Sequence, residues 1–408
     1  MKTETKTIEK VQVKSMTAYL PDFNNTQKAF AHKSNSELRS AYWLFKLMGN
    51  PGLVKVFSKL TIVGLKLHLP IEGLIKSTIF KQFCGGASLN ESEEVVSKLH
   101  KIQVGSILDY SVEGKETDPD FDATLEELLR IVDKAKHNAA IPYTCIKITG
   151  IARMGLLERR SEVMDGFNKA EAAEWARVEG RLDKICGYCQ EAGVPIYIDA
   201  EESWIQPAID ELAEKMMLKY NKTKAVVQTT LQLYRWDRLD YLKKLIETAK
   251  KQEIVVGVKL VRGAYWEKEN VRAAEMKYKS PVHQVKADTD KDYNAAVTMA
   301  LENIDRVNLC AGTHNEESTL HVARTMVQLG ISPNDKRVYC SQLFGMSDHI
   351  TYNVADAGFN VTKYLPYGPV KSVIPYLIRR AEENTSIAGQ MGRELKLIVS
   401  EKKRREQI

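Results

Sequence analysis

From residue 104 onward the chain alternates short apolar runs with longer amphipathic stretches. The runs are Ser106–Val112, Tyr143–Thr149, Pro195–Asp199, Ala225–Thr229, Ile254–Val261, Val307–Ala311, Arg337–Ser341 and Asn360–Tyr364, rich in Val, Ile and Tyr. All but the last pair leave room between them for a helix and its loops. Runs that are apolar almost throughout predict strands buried on both faces, as in a parallel sheet covered by helices. Eight such β–α alternations predict a closed (β/α)8 barrel of the TIM type rather than an open doubly wound sheet. No Gly-x-Gly-x-x-Gly follows any run, so a Rossmann dinucleotide domain has no support.

Residues 1–103 read as an N-terminal helical arm, with breaks at Asn50-Pro51-Gly52 and Cys84-Gly85-Gly86. The barrel is expected over 104–390. A basic tail follows over 391–408, in which Lys402 to Arg405 read as frayed and solvated. The apolar stretch Leu53–Leu69 is interrupted by Lys55, Lys59 and Lys66 and cannot span a bilayer. It is expected to pack on the main domain, with a membrane surface as the second choice.

At 408 residues and 44% hydrophobic content the chain can bury a large core, and its net charge of +6 is modest. Basic residues are not interleaved with aromatics, so no nucleic-acid partner is expected. The first twenty residues hold Lys, Thr and Glu without an apolar run or an Arg-rich composition. That favours a cytoplasmic place, with peripheral contact to the inner membrane as a further expectation. A mitochondrial place would need a targeting segment outside these residues. Six scattered cysteines suit a reducing compartment, and Cys186-Gly-Tyr-Cys189 reads as structural because it closes a helix instead of opening one.

A barrel puts its chemistry at the carboxyl ends of its strands. Those positions hold Lys147, Asp199 with Glu201 and Glu202, Gln228, Lys259 with Arg262, Thr313-His314-Asn315, Gln342 and Tyr364. Each has a plain alternative. Asp199 could cap a helix, His314 could be a satisfied core histidine, and Asp109 and Glu113 on the first strand are read as acids of a structural ion pair within the barrel. After the last run, Pro366 to Pro369 reads as a turn, and a helix then carries Tyr376, Arg379, Arg380 and Glu383 on one face. Two guanidiniums can hold a carboxylate in fixed geometry, beside a phenol that packs on an apolar ring. No metal site is expected.

These segments resemble proline dehydrogenases. The motifs are Leu108-Asp-Tyr-Ser-Val-Glu-Gly114, Ile198-Asp-Ala-Glu-Glu202, Gly257-Val-Lys-Leu-Val-Arg-Gly-Ala-Tyr-Trp-Glu267, Thr313-His-Asn-Glu316, Gln342-Leu-Phe-Gly-Met346 and the stretch Tyr364–Asn384. The resemblance covers roughly residues 104–385 and is to the stand-alone form, the chain being too short for the second dehydrogenase of bifunctional relatives. It implies a distorted barrel that holds FAD and oxidises L-proline to Δ1-pyrroline-5-carboxylate, the first step of proline catabolism to glutamate. Hydride would pass to the flavin N5 and electrons onward to a quinone.

By the same resemblance Lys147, Arg379 and Arg380 hold the substrate carboxylate, while Leu343, Tyr364 and Tyr376 cover the ring. Lys259 lies near N5, and Asp199 acts as a base through water or, the safer choice, orients the cations. Ala200, Gln228, Val261, Arg262, Gly263, Ala264, Trp266, Lys286, Thr313 and His314 line the cofactor. Glu383, grouped with them, orients an arginine. Many bacterial members carry Arg in place of Lys259, and Arg-Lys in place of Val285-Lys286. Hydroxyproline oxidation on the same fold is the nearest rival, disfavoured by the bulk of Tyr364. A Schiff-base aldolase using Lys147 or Lys259 is a more distant one.

Overall fold

The computed structural model describes residues 20–67, 69–111, 116–163, 166–386 and 388–407; the side chains at 62, 65, 66 and 382–391 are outside that description. Its centre is a closed barrel of eight parallel strands in sequence order. They are β1 Val104–Tyr110, β2 Tyr143–Ile146, β3 Ile196–Ile198, β4 Val227–Gln232, β5 Val256–Val261, β6 Val307–Gly312, β7 Val338–Leu343 and β8 Val361–Tyr367. Helices separate the strands in sequence and cover the barrel, and the largest apolar cluster lies between them and the outward strand faces.

Strand register decides which residues enter the barrel. Lys259 lies against two interior rings, its Nζ 5.2 Å from the centre of Tyr197 and 5.0 Å from that of Tyr364. Residues two apart on β5, and their register partners on neighbouring strands, therefore also face inward. The lowest inward layer holds Ile107, Tyr143, Tyr197, Gln228, Gly257 and Tyr339. Above it lie Asp109, Cys145, Asp199, Thr230, Lys259, Cys310 and Tyr364, and the mouth is edged by Lys147, Gln232, Val261, Gly312 and Leu343.

Two expectations are corrected here. Strand β4 runs on to Gln232, so Gln228 is its second residue and lies in the lowest layer, donating to the Ala225 carbonyl at 3.1 Å. Gly257 makes room for it: a Cβ there would sit 2.1 Å from Gln228 Cγ. Pro366 is not in a turn but within β8, opposite Asp109. The Tyr364 carbonyl, accepting from Phe344 N at 2.9 Å, shows which edge the missing Pro366 N–H faces. Strand β7 has already ended there, and the arm takes its place, with Gly85 N donating to the Pro366 carbonyl at 2.8 Å.

The arm and the chain's last helices share a second apolar cluster. Phe30, Phe45, Phe80 and Phe83 pack with Val373, Ile374, Tyr376, Leu377, Leu397 and Ile398. Within it the helix Pro51–Lys66 lies on the helix Val370–Ser386, which roofs the barrel. The end of the last helix, Ala388–Glu406, is not frayed as expected. Arg404 and Arg405 pair with the fully buried Glu401, and Arg405 caps the Phe30 and Lys33 carbonyls at 2.8 and 2.9 Å. The first of these ends the arm helix Thr26–Phe30, and the carbonyl end of a helix attracts a cation. Cys186 and Cys189 are buried and unbridged, and burial pushes the Cys189 thiol up to about 12.

Candidate active site

Asp199 follows β3 and stands at the centre of the polar layer, buried and with three donors around it. Lys259 from β5 donates to Oδ1, while Lys147 Nζ at 3.0 Å and the Tyr364 hydroxyl at 2.6 Å donate to Oδ2. Burial alone would raise the Asp199 pKa, but the two ammonium groups hold it far below the usual carboxylate range. Asp199 is thus a fixed anion at neutral pH, suited to orienting donors and poorly suited to taking a proton. Lys147 is also 3.3 Å from Asp109, and against burial these two carboxylates push its pKa well above the ordinary value. The ion pair expected for Asp109 is thus made with Lys147. Glu113 lies outside the described residues.

Asp109, Cys145 and Asp199 converge closely enough to hold an ion. Lysine charge already balances the two carboxylates, and burial keeps the Cys145 thiol protonated, which is poor chemistry for a metal.

The roof helix completes the mouth. Tyr376 and Arg380 are buried, and the Arg380 guanidinium stacks 5.2 Å from the Tyr376 ring centre, the contact that i and i+4 positions permit. Arg380 lies close enough to act electrostatically on His314, and Arg379 acts likewise on the phenol of Tyr265. Leu343, the last residue of β7, packs against the cluster that contains Tyr376. The side chain of Glu383 lies outside the described residues.

The expected cofactor residues divide into two groups. Val261, Gly263 and Ala264 edge the mouth, with Gly263 and Ala264 exposed. Gly263 has φ +135°, and a Cβ there would lie 2.4 Å from the Tyr234 ring, so only glycine fits this turn. Ala200 follows Asp199 on the same rim, and Trp266, 44% exposed, is anchored by Nε1 to the His283 carbonyl at 2.9 Å. The second group is committed within the protein. Arg262 donates to Asp290 at 2.8 Å, Thr313 at 2.5 Å and Ser318 at 2.9 Å, and Lys286 reaches the same Asp290 at 2.5 Å. His314 meets Ser347 Oγ at 2.9 Å through Nδ1, and burial lowers its pKa to about 3, so it is neutral.

Gln232, which the apolar runs did not single out, takes the place expected of Gln228. Its Nε2 donates to the Glu201 carbonyl at 2.6 Å, and its Oε1 accepts from Ala264 N at 3.4 Å. A count of two from an inward position on β4 would have found it. Around Gln232, Val261, Gly312 and the Gly263–Ala264 turn the mouth offers a low floor of small side chains beside an amide. The cations and the hydroxyl come from Lys147, Tyr364 and the roof arginines, with Lys147 and Arg379 both in electrostatic reach of Tyr265 beside that turn. A flat heteroaromatic ring suits the floor, and a small anionic substrate suits the cations.

Glu201 ties this rim to β2. It accepts from Thr149 N at 3.0 Å and from the Thr149 hydroxyl, and burial lifts its pKa to about 7. The folded chain therefore keeps a proton that the unfolded chain has released. Stability is full below the ordinary value of 4.5 and falls as pH rises through 7. Glu201→Gln keeps the shape and one acceptor. It should stabilise the fold by roughly 2–3 kcal/mol at about pH 8 and hardly at all at about pH 4. Thermal unfolding at both values checks this; equal shifts would mean that Glu201 is ionised in the folded state.

With this geometry in place, comparison with known proteins is direct. Residues 92–393 match the family model described as proline dehydrogenase. The carbapenem antibiotics biosynthesis protein CarD of Pectobacterium carotovorum subsp. carotovorum is 34% identical, over 82% of this chain and 86% of that protein. The mitochondrial proline dehydrogenase 1 of Dictyostelium discoideum is 31% identical, over 93% of this chain and 74% of that one. A hydroxyproline dehydrogenase of Xenopus laevis is 28% identical, over 92% and 88% respectively. The crystal structure of proline utilization A (PutA) from Bdellovibrio bacteriovorus inactivated by N-propargylglycine superposes with a TM-score of 0.68 at 21% identity. That likeness is one of fold; it covers 88% of this chain, which spans 38% of that longer protein. The match to the family model extends over most of the barrel and its roof, and the chain belongs to the proline dehydrogenase family of oxidoreductases.

Proposed function

We propose that this chain oxidises L-proline to Δ1-pyrroline-5-carboxylate with bound FAD, passing the electrons to a quinone. One observation carries the reading: the Asp199–Lys259–Lys147–Tyr364 cluster lies at the carboxyl-end half of the barrel, and Arg379 and Arg380 of the helix after β8 act electrostatically on Tyr265 and His314 of the same rim. When bound, the flavin supplies the two-electron acceptor for the carbon–nitrogen oxidation. Gln232, Val261, Gly263, Ala264 and Trp266 would hold it, with Arg262 and Lys286 at the far corner.

The substrate side follows from charge. Arg379 and Arg380 provide the handle for the proline carboxylate. Lys147 supports it less strongly than expected, because Asp109 and Asp199 already share its charge. The Tyr364 and Tyr376 rings and Leu343 wall the pyrrolidine. Asp199 holds Lys259, Lys147 and Tyr364 in place, and the amine proton leaves to water, because this carboxylate is too weak a base to receive it. A Schiff-base aldolase would need a neutral lysine, whereas the paired carboxylates keep Lys147 charged. For hydroxyproline, the family likeness is matched by a relative of that name. Against it stands Tyr364, whose phenol is tied to Asp199 at the position where a ring substituent needs room.

The visible spectrum tests the whole reading. Purified protein should show flavin bands that bleach on anaerobic addition of L-proline and not on addition of D-proline. A colourless protein that takes up no FAD, or bands that ignore L-proline, would sink it.

A further inference from the structure

The turn after β7, Leu343 to Ser347, is gripped by side chains from elements far apart in sequence. Its backbone has φ +77° at Gly345 and +52° at Ser347. Lys363 of β8 donates to the Leu343 and Met346 carbonyls at 3.4 and 2.6 Å, and Gln82 of the arm donates to the Gly345 carbonyl at 2.7 Å. Only glycine lets the arm come this close, since a Cβ at Gly345 would lie 2.0 Å from the Gln82 carbonyl oxygen. From the last helix, Glu394 accepts from Ser347 N at 3.2 Å.

Lys363 is fully buried, a costly place for an ammonium unless every donor is met. The two carbonyls and Asp348 Oδ1, at 3.0 Å, supply one acceptor for each of its three N–H groups. Burial pulls the Lys363 pKa down, and Asp348 opposes it. Asp348 Oδ2 meets the arm, where Lys33 lies at 3.3 Å and His32 at 3.7 Å. Against burial, the ammonium groups of Lys363 and Lys33 hold the Asp348 carboxyl well below its usual range. An apolar side chain would fill the core as well as this lysine does, so its value lies in what it joins. It joins the arm to the turn that begins at Leu343. We propose that Lys363 and Asp348 are positioning residues for the substrate ring: with Gln82 and Lys33 of the arm they set the turn that carries Leu343, and so fix the ring size that the site accepts. This rests on the proline oxidation proposed above, in which Leu343 walls the pyrrolidine.

The test compares proline with its six-membered homologue, L-pipecolate, in protein carrying its flavin. Lys363→Met with Asp348→Asn removes the pair together, so that no buried charge of the pair stands alone. It should raise KM for proline and shift the pipecolate-to-proline ratio of kcat/KM upward roughly tenfold, the low end of what one ring contact controls, with flavin content unchanged. Lys33→Met with Gln82→Met loosens the turn from the arm side only and leaves the Lys363–Asp348 pair in place. It should move the ratio the same way by roughly threefold, and it keeps the test alive if the first variant does not fold. In a Leu343→Ala background neither pair should move the ratio further, because the wall they position is gone. Amide hydrogen exchange across residues 343–348, read without turnover, should quicken in both variants. Unchanged exchange would overturn the inference. Faster exchange with an unmoved ratio, or shifts that persist in the Leu343→Ala background, would also overturn it by reducing the cluster to a structural role. Failure of the proposed oxidation shows instead in the wild type, whose flavin would ignore L-proline.

Discussion

Asp199→Asn should lower kcat/KM for proline by roughly 100-fold while flavin content stays near one per chain. The substitution keeps the shape and removes the charge that two lysines share. Lys147 retains Asp109, 3.3 Å away, but Lys259 has no other ion-pair partner among the described residues and is only 6% exposed. A buried ammonium left uncompensated costs about 3–5 kcal/mol, so the variant holds Lys259 far less firmly. The variant should therefore lose activity at every pH at which the wild type turns over. The folded-state pKa of Asp199 lies below its ordinary 3.8, so its contribution to stability is present above that value and is lost as pH falls through the folded one. Wild type and variant should converge in stability only under strong acid. Steady-state kinetics across pH, with thermal unfolding alongside, check both. A variant that melts earlier but turns over normally per folded molecule would reduce Asp199 to a structural ion.

The barrel was legible because its strands are apolar enough to stand out, and reading failed where polar residues enter its interior. Strand β4 shows this. Its apolar stretch ends where Thr229 and Thr230 begin, yet both are buried, Thr230 beside Lys259 in the charged layer. Hydrophobicity therefore placed the rim at Gln228 and missed Gln232, two side-chain repeats further along. Pro366 failed for a related reason. A proline normally marks a turn, but here β7 ends early and the absent N–H faces an edge that the arm fills from far away in sequence. Lys147, Asp199, Lys259 and Tyr364 were found from their places at run ends, and strand parity brings all four into one cluster. Their partners were harder. That Asp109 would share Lys147, or that Glu201 would bridge to Thr149, depends on which loops meet above the barrel, and no local pattern carries that. The tail misled because a basic run looks solvated; its arginines are held by Glu401, itself on the same helix, and by carbonyls of the arm.

Tyr364→Ser should raise the ratio of kcat/KM for trans-4-hydroxy-L-proline over proline by roughly 10–200-fold, the range that one pocket contact of about 1–3 kcal/mol controls. Three observations fix the phenol. It projects from within β8, it donates to Asp199 at 2.6 Å and accepts from Lys147 at 3.2 Å, and the Lys259 ammonium lies 5.0 Å from its ring centre. A ring held at its hydroxyl and along its face cannot swing aside for a bulkier substrate. Serine removes that wall and leaves a hydroxyl near where the substrate's own would lie. Proline turnover should fall in the same variant, since both the ring contact and the hydrogen bond to Asp199 are gone. Tyr364→Phe separates the two effects: it keeps the wall and loses only the hydrogen bond, so its turnover should fall while its ratio stays at the wild-type value. If Phe shifts the ratio as far as Ser does, selectivity comes from the Asp199 network and not from bulk. If neither moves it, Tyr364 is no part of the wall, and the preference for proline loses the residue on which it rests.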